Sequence, residues 1–420
     1  AHMKKRMLAG ALCLVLTLSA SLSLSGCSTA AQAIDLMDGV SAGDVIGDIE
    51  LTGSEDRAIA DFAVQLFKNS GPESKNTLVS PFSVLCALAM TANGAGGDTL
   101  AQMQETFGLS IEELNTYLRA YLDSLASGEK YKLSVANSLW FRDDESLVIE
   151  KDFLQKNADY YNASLYQSAF DKSTLEVIND WVSEKTDGMI DGILDEIPEE
   201  AVMYLINALA FDAEWENIYR ESQVQEGTFT TESGEIRDVE MMYCQENRYL
   251  DDGSATGFIK YYADRKYAFA ALLPNPGISI ADYAASLTGG GLSATLENAQ
   301  DIRVDTALPK FESEYAVEMS DMLKAMGMTV AFDPDRADFS GMGHMAAGNL
   351  FISRVLHKTY IAVDEKGTKA GAVTSVEMRC TSAAPPEEFK TVYLDRPFVY
   401  MLIDCETNLP IFIGTVMDIH

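Results

Sequence analysis

The sequence predicts an α+β fold, and three observations carry that prediction. Helical periodicity crowds the first part of the chain, strand signals dominate from residue 226 onward, and Val202–Phe211 is an almost unbroken apolar run of strand length. Helices early and strands late fit segregated layers rather than alternating βαβ units. An apolar run without polar alternation suits a central strand buried on both faces.

In chain order, residues 56–69 and 81–92 carry helical periodicity, the second holding Cys86 in the apolar run Val84 to Met90. Residues 98–107 and 111–125 continue as short helices. Leu133–Phe141 alternates like a half-buried strand. Residues 172–186 are helical with Trp181 on the apolar side, and Val202–Phe211 follows as the central strand. Beyond residue 226 the strands are Tyr267–Leu273, Val304–Leu308, Tyr360–Val363, Phe398–Asp404 and Ile411–Val416, and Glu314–Met326 reads as one clear helix. No linker or repeat interrupts residues 56–420, so one large domain is expected.

The chain has 420 residues, 47% hydrophobic and 23% charged, enough for a large core, with a formal net charge of −33. Such an acidic body repels nucleic acid and anionic head groups, so no nucleic-acid partner is expected. Ala1-His2 ahead of Met3 reads as a cloning remnant. Lys4-Lys5-Arg6 and the apolar stretch from Met7 to Leu24 then read as a signal peptide, giving a processed segment over 1–26. It ends in Leu24-Ser25-Gly26-Cys27, which resembles a bacterial lipobox, where the thiol accepts a diacylglyceryl unit. That predicts a lipidated Cys27 with a flexible tether over 27–54, a folded domain over 55–420, and a protein outside the cytoplasm, membrane-anchored or secreted. Cys86, Cys244, Cys380 and Cys405 show neither paired spacing nor a zinc pattern, and no disulfide is expected.

Catalysis finds little support. The four histidines are His2, His344, His357 and the terminal His420, and no nucleophile motif, metal-spaced cluster or phosphate-binding glycine loop accompanies them. Acid pairs such as Asp251-Asp252 and Glu199-Glu200 are ordinary in so acidic a chain. No enzyme activity, catalytic residue, metal or cofactor is expected.

The most informative stretch is Asp364 to Val376, DEKGTKAGAVTSV. With a strand's period of two, Thr368, Ala370, Ala372, Thr374 and Val376 share one face, all small or β-branched. Lys369, Gly371, Val373, Ser375 and Glu377 share the other, which takes both charges that follow Gly367. A solvated loop has no reason to sort its charges so. The pattern suits a loop able to become a strand inside a sheet.

This stretch resembles the hinge of a serpin reactive-centre loop. Other segments resemble serpin blocks in family order: Asn76-Thr-Leu-Val-Ser80-Pro81-Phe-Ser83, Asn207-Ala-Leu-Ala-Phe211-Asp-Ala-Glu-Trp215, Leu308-Pro309-Lys310-Phe311, Leu323-Lys-Ala-Met-Gly327, Ala337-Asp338-Phe339-Ser340, Val355-Leu-His357-Lys358, Asp395-Arg-Pro397-Phe398 and Pro410-Ile-Phe412-Ile-Gly414. Together they span roughly residues 56–419. The resemblance implies three β-sheets, about nine helices and an exposed loop. It places Glu365, Gly367, Thr368, Ala370 and Ala372 in the hinge, Ser80, Ser83, Asn207 and His357 in a polar shutter beneath the main sheet, and Trp215 at the breach where the hinge enters.

The activity implied is suicide inhibition of an extracellular serine protease by a monomeric inhibitor. The protease attacks the loop, forms an acyl-enzyme, and is trapped when the cleaved loop inserts as a new strand. Small uncharged Thr368, Ala370 and Ala372 fit a fast-inserting loop. Counting from Glu365 puts the reactive bond at Thr381–Ser382, with Cys380 or Arg379 as neighbouring registers. Anchoring from the far side shifts the count toward Pro385–Pro386. A small residue before the bond favours elastase-like or subtilisin-like targets, and Arg379 trypsin-like ones. A cross-class inhibitor of cysteine proteases and a non-inhibitory serpin that acts as a binding protein remain open. A lipoprotein substrate-binding module would need an internal duplication, which is not visible.

Overall fold

The computed structural model describes residues 33–43, 53–125, 128–346, 348–368 and 389–420. Among them are nine α-helices: α1 (Ser54–Asn69), α2 (Pro81–Ala92), α3 (Gly97–Phe107), α4 (Ile111–Ser124), α5 (Lys151–Tyr161), α6 (Lys172–Lys185), α7 (Ile280–Ser286), α8 (Gly289–Glu297) and α9 (Ser320–Ala325). Side-chain caps start several of them. Ser80 accepts from the Ser83 amide ahead of α2, and Asp171 accepts from the Ser173 and Thr174 amides ahead of α6. Ser110 and Glu113 close a reciprocal capping box on α4.

The main sheet has seven strands in the order β1 (Ile34–Asp35), β5 (Ser164–Ser168), β3 (Tyr131–Arg142), β6 (Met203–Glu214), β16 (Gly367–Thr368), β15 (Arg354–Val363) and β13 (Phe311–Glu318). A six-stranded sheet runs β2 (Thr77–Val79), β19 (Pro410–Val416), β18 (Phe398–Asp404), β11 (Tyr267–Pro274), β10 (Ala255–Tyr261) and β9 (Tyr249–Asp251). A four-stranded sheet runs β17 (Phe389–Tyr393), β12 (Arg303–Pro309), β8 (Ile236–Glu246) and β7 (Val224–Thr230), and β14 (Gly343–His344) pairs with β4 (Val148–Ile149). The expected combination of three substantial sheets and about nine helices is therefore present.

Both faces of β6 are covered, which accounts for its apolar run. One face joins the large core built with Phe62, Leu85, Phe107, Phe269 and Phe412. The other presents Tyr204, Ile206 and Ala208 to a second cluster in which α6 supplies Ile178, Trp181 and Val182 beside Trp140 of β3. Helix α2 is buried along its whole length, directly under the main sheet.

Two readings of the sequence need correction. The stretch Glu314–Met326, expected as one helix, is split between the end of the strand β13 and the short α9. Phe311, Ser313 and Tyr315 point inward while Glu312, Glu314 and Ala316 face solvent, so the glutamates mark the wet face of an edge strand. Part of the expected tether, residues 33–43, packs on the body. Ile34 and Asp35 add a strand to β5, and Leu36 and Met37 lie against the main core.

Candidate functional site

The main sheet divides toward one end. Strands β6 and β15 pair directly in parallel from Tyr204↔Arg354 to Ala210↔Tyr360. Beyond that, β16 stands between them: Thr368 pairs with Ala213 and Gly367 with Glu214 on one side, and Thr368 with Val363 on the other. The predicted hinge residues Gly367 and Thr368 thus already form two rungs of a strand, and both are buried. A Cβ on Gly367 would lie 1.9 Å from the Ala213 carbonyl oxygen, so only glycine fits that rung.

A tight turn delivers the chain to this slot. The Asp364 carboxylate accepts from the amides of Lys366 (2.7 Å) and Gly367 (3.1 Å), and the Asp364 amide donates to the Gly367 carbonyl at 2.9 Å. Glu365 is tied down by Lys310 at 2.8 Å, and Lys310 also reaches Glu240 at 3.3 Å. The Lys310 hydrogen bond holds the Glu365 carboxyl below its ordinary range.

Trp215, placed at the breach by the resemblance, lies at the mouth of the slot and holds the backbone of residues 364–366. Its amide donates to the Lys366 carbonyl at 2.8 Å and its indole nitrogen to the Asp364 carbonyl at 2.9 Å, while the Tyr219 amide donates to Glu365 at 2.9 Å. The Trp215 ring stacks on Tyr262 at 4.4 Å, and the Tyr262 hydroxyl shares a hydrogen bond with the Thr368 hydroxyl at 2.6 Å. Behind the tryptophan, the buried Lys260 ammonium sits 5.3 Å from Trp215 and 4.4 Å from Tyr219, neutralised by Glu246 at 2.8 Å. The first inward side chain of the hinge therefore enters a box of aromatic rings with one hydroxyl waiting for it.

The predicted shutter residues also come together, midway along the sheet. His357 and Asn207 face each other across the β6–β15 pairing, joined through Nδ1 and the amide oxygen. His357 Nε2 accepts from the Ser80 amide at 3.1 Å. Nε2 is therefore the acceptor and Nδ1–H donates to Asn207. Burial pushes the imidazole pKa down to about 3, so the ring is neutral. The Asn207 amide donates to Ser83 and to Asn137, and Ser83 donates to Asn137 at 3.1 Å. These bonds join β3, β6, β15 and α2 at one point.

Several members of the site were not picked out in advance. Asn137 sits opposite Asn207 in the β3–β6 register, and its signal was an amide in the middle of an alternating strand. Tyr262, Lys260 and Lys310 reach the hinge only through folding, since Tyr262 lies 106 residues from Thr368. Ala370, Ala372, Arg379, Cys380, Thr381, Ser382 and Cys27 lie outside the described residues. Among the described residues no cluster of histidine, cysteine or carboxylate side chains has metal-holding geometry.

The fold thus has a main sheet whose central strands part at one end, with β16 lodged between them over a hydrogen-bonded polar cluster. The comparisons identify the class of protein: the family model "Serpin (serine protease inhibitor)" matches residues 57–419, and the chain belongs to the serpin family. An uncharacterised serpin-like protein of Thermococcus kodakarensis is 30% identical, covering 86% of this chain and 85% of its own. Human serpin B8 is also 30% identical, covering 84% of this chain and 96% of its own. The crystal structure of the thermophilic serpin tengpin in its native state matches with a TM-score of 0.88 and 49% identity, covering 92% of this chain and all of that one. The same serpin in its latent state matches at 0.78 with 47% identity, so the conformation described here is the nearer to the native form.

Proposed function

We propose that the chain is a suicide inhibitor of extracellular serine proteases, elastase-like or subtilisin-like enzymes first, acting as a monomer. The protease serine attacks the loop and forms an acyl-enzyme. The cleaved loop then extends β16 down the gap between β6 and β15. Hydrolysis of the acyl bond competes with that insertion. The observation that carries this reading is Thr368, small, uncharged and buried between Ala213 and Val363. Ala370, Ala372, Thr374 and Val376 continue its face, so each inward residue that follows is small enough for a buried position. Apolar area buried on insertion favours it at roughly 25 cal/mol per Å2.

The test mixes the domain with pancreatic elastase, subtilisin and trypsin, followed by a denaturing gel and the mass of the released C-terminal peptide. A denaturant-resistant band at the summed mass is expected, with a peptide beginning at Ser382. Clipping of the loop with every protease left active would overturn the inhibitory reading. For the N-terminus, the reading is lipidation at Cys27 and residence outside the cytoplasm. It is supported by Lys4-Lys5-Arg6, the apolar stretch and Leu24-Ser25-Gly26-Cys27. Labelling of the full-length chain with an alkyne fatty acid in a bacterial host tests it, and a Cys27→Ala variant should lose the label.

A further inference from the structure

The segment 33–43 is fastened along its length. The Leu36 amide donates to the Leu165 carbonyl at 2.9 Å, Gln155 donates to the Ser41 carbonyl at 2.9 Å, and the Gly43 amide donates to Asp159 at 2.7 Å. These bonds set where the chain enters the body, and the strand registers give that place a level on the main sheet. Ile34 pairs with Gln167, Gln167 with Phe141, and Phe141 with Met203. The hinge lies at the other end of β6, where Thr368 pairs with Ala213. Ten residues of strand separate Met203 from Ala213, about 33 Å at 3.3 Å per residue.

Direction follows from the same registers. Strand β1 runs antiparallel to β5, so Asp35 lies nearer the hinge than Ile34 and β1 runs toward the hinge end of the sheet. Cys27 is seven residues before Ile34, a reach of at most about 25 Å however the intervening chain runs. That reach falls short of the hinge level. Without the docked segment the constraint would vanish, because α1 begins at Ser54 and 27 residues would then span roughly 90 Å.

We propose that the docked segment sets the membrane-facing pole of the molecule at the Met203 end of the main sheet, so that the reactive loop is presented away from the lipid. The occupant of that pole, a lipid surface, rests on the reading of Cys27 as the anchor. The direction rests on the registers alone.

The experiment separates the two readings by supplying the anchor artificially. A chain beginning at residue 27 carries a hexahistidine tag there, has Cys27, Cys244, Cys380 and Cys405 replaced by serine, and is bound to nickel-chelating vesicles. A single dye is placed by Glu200→Cys at the Met203 end or by Glu129→Cys at the hinge end, and energy transfer to an acceptor lipid is read. Transfer from position 200 should exceed that from position 129 several-fold. Leu36→Pro, or replacement of residues 33–43 by a glycine-serine linker of equal length, should bring the two positions to the same value. Equal transfer with the segment intact, or stronger transfer from position 129, overturns the proposal. Absence of fatty-acid label on Cys27 in the host would instead remove the lipid as occupant and leave the measured direction standing.

Discussion

Replacing Thr368 by arginine puts the hinge reading under the greatest strain. Thr368 is fully buried, flanked by two strands, and its hydroxyl meets Tyr262 inside an aromatic box closed by Trp215 and Phe211. Arginine cannot share that hydrogen bond, and a Tyr262 hydroxyl left without a partner costs about 1–3 kcal/mol. A guanidinium buried there without a carboxylate adds several kcal/mol more. A barrier to insertion raised by about 3 kcal/mol slows it relative to hydrolysis of the acyl bond by more than a hundredfold. The assay is the number of inhibitor molecules consumed per molecule of elastase inactivated. That number should rise by an order of magnitude or more, with cleaved inhibitor replacing the resistant complex on the gel. Thr368→Ser keeps the hydroxyl and should behave as the parent chain. The thermal midpoint of the arginine variant should fall by only a few degrees, because the hinge can withdraw from the slot at the cost of the Thr368 rungs and the Tyr262 hydrogen bond. A Thr368→Arg protein that still inactivates elastase one to one would refute the reasoning.

Three further outcomes follow from the same geometry. Gly367→Ala forces a Cβ into the Ala213 carbonyl, so it should shift elastase from trapped to released in the same assay and lower the urea midpoint, because the rung it breaks is already formed. His357→Leu strands the Ser80 amide and the Asn207 oxygen in a dry interior, a loss of about 2–5 kcal/mol that urea denaturation should register. The imidazole binds no proton in the folded state until about pH 3, whereas in the unfolded chain it titrates near 6.5. Its stabilising contribution is thus complete above pH 6.5 and declines by about 1.4 kcal/mol per unit as pH falls toward 3. The stability gap between the parent and His357→Leu should therefore narrow steadily between pH 6.5 and 4, and a constant gap would contradict a neutral buried imidazole.

Much of the fold was legible because burial leaves a period in the sequence. Leu133–Phe141 and Val202–Phe211 were read as strands, the second as covered on both faces, and they became β3 and β6. The edge strand β13 was misread since Glu314 and Glu318, four residues apart, satisfy a charged helix face as easily as the wet side of a strand, and only the partner β15 decides. The site divides in the same way. His357, Asn207, Ser80 and Ser83 were legible through short motifs, and Thr368 through its face. Tyr262 and Lys260 carry no local mark, and the block that holds Lys310 does not say what its ammonium reaches: these become hinge contacts only when distant strands converge. The docked segment 33–43 was hidden by its composition, because small and acidic residues look like a linker until β5 and α5 offer them partners.

The two rungs that β16 already occupies bear on speed as well as on fit. In any zipper the first rungs are the costly ones, since they fix the chain before enough contacts form to repay its lost freedom. Here two rungs exist before any bond is cut, so in the proposed mechanism insertion begins at the propagation stage. The toll on propagation moves down the sheet to the neutral pair His357–Asn207, the bond that must open before the growing strand can pass. On the proposed mechanism the race between trapping a protease and releasing it is timed at the shutter, and changes there should alter how fast the trap closes even where the loop itself is untouched.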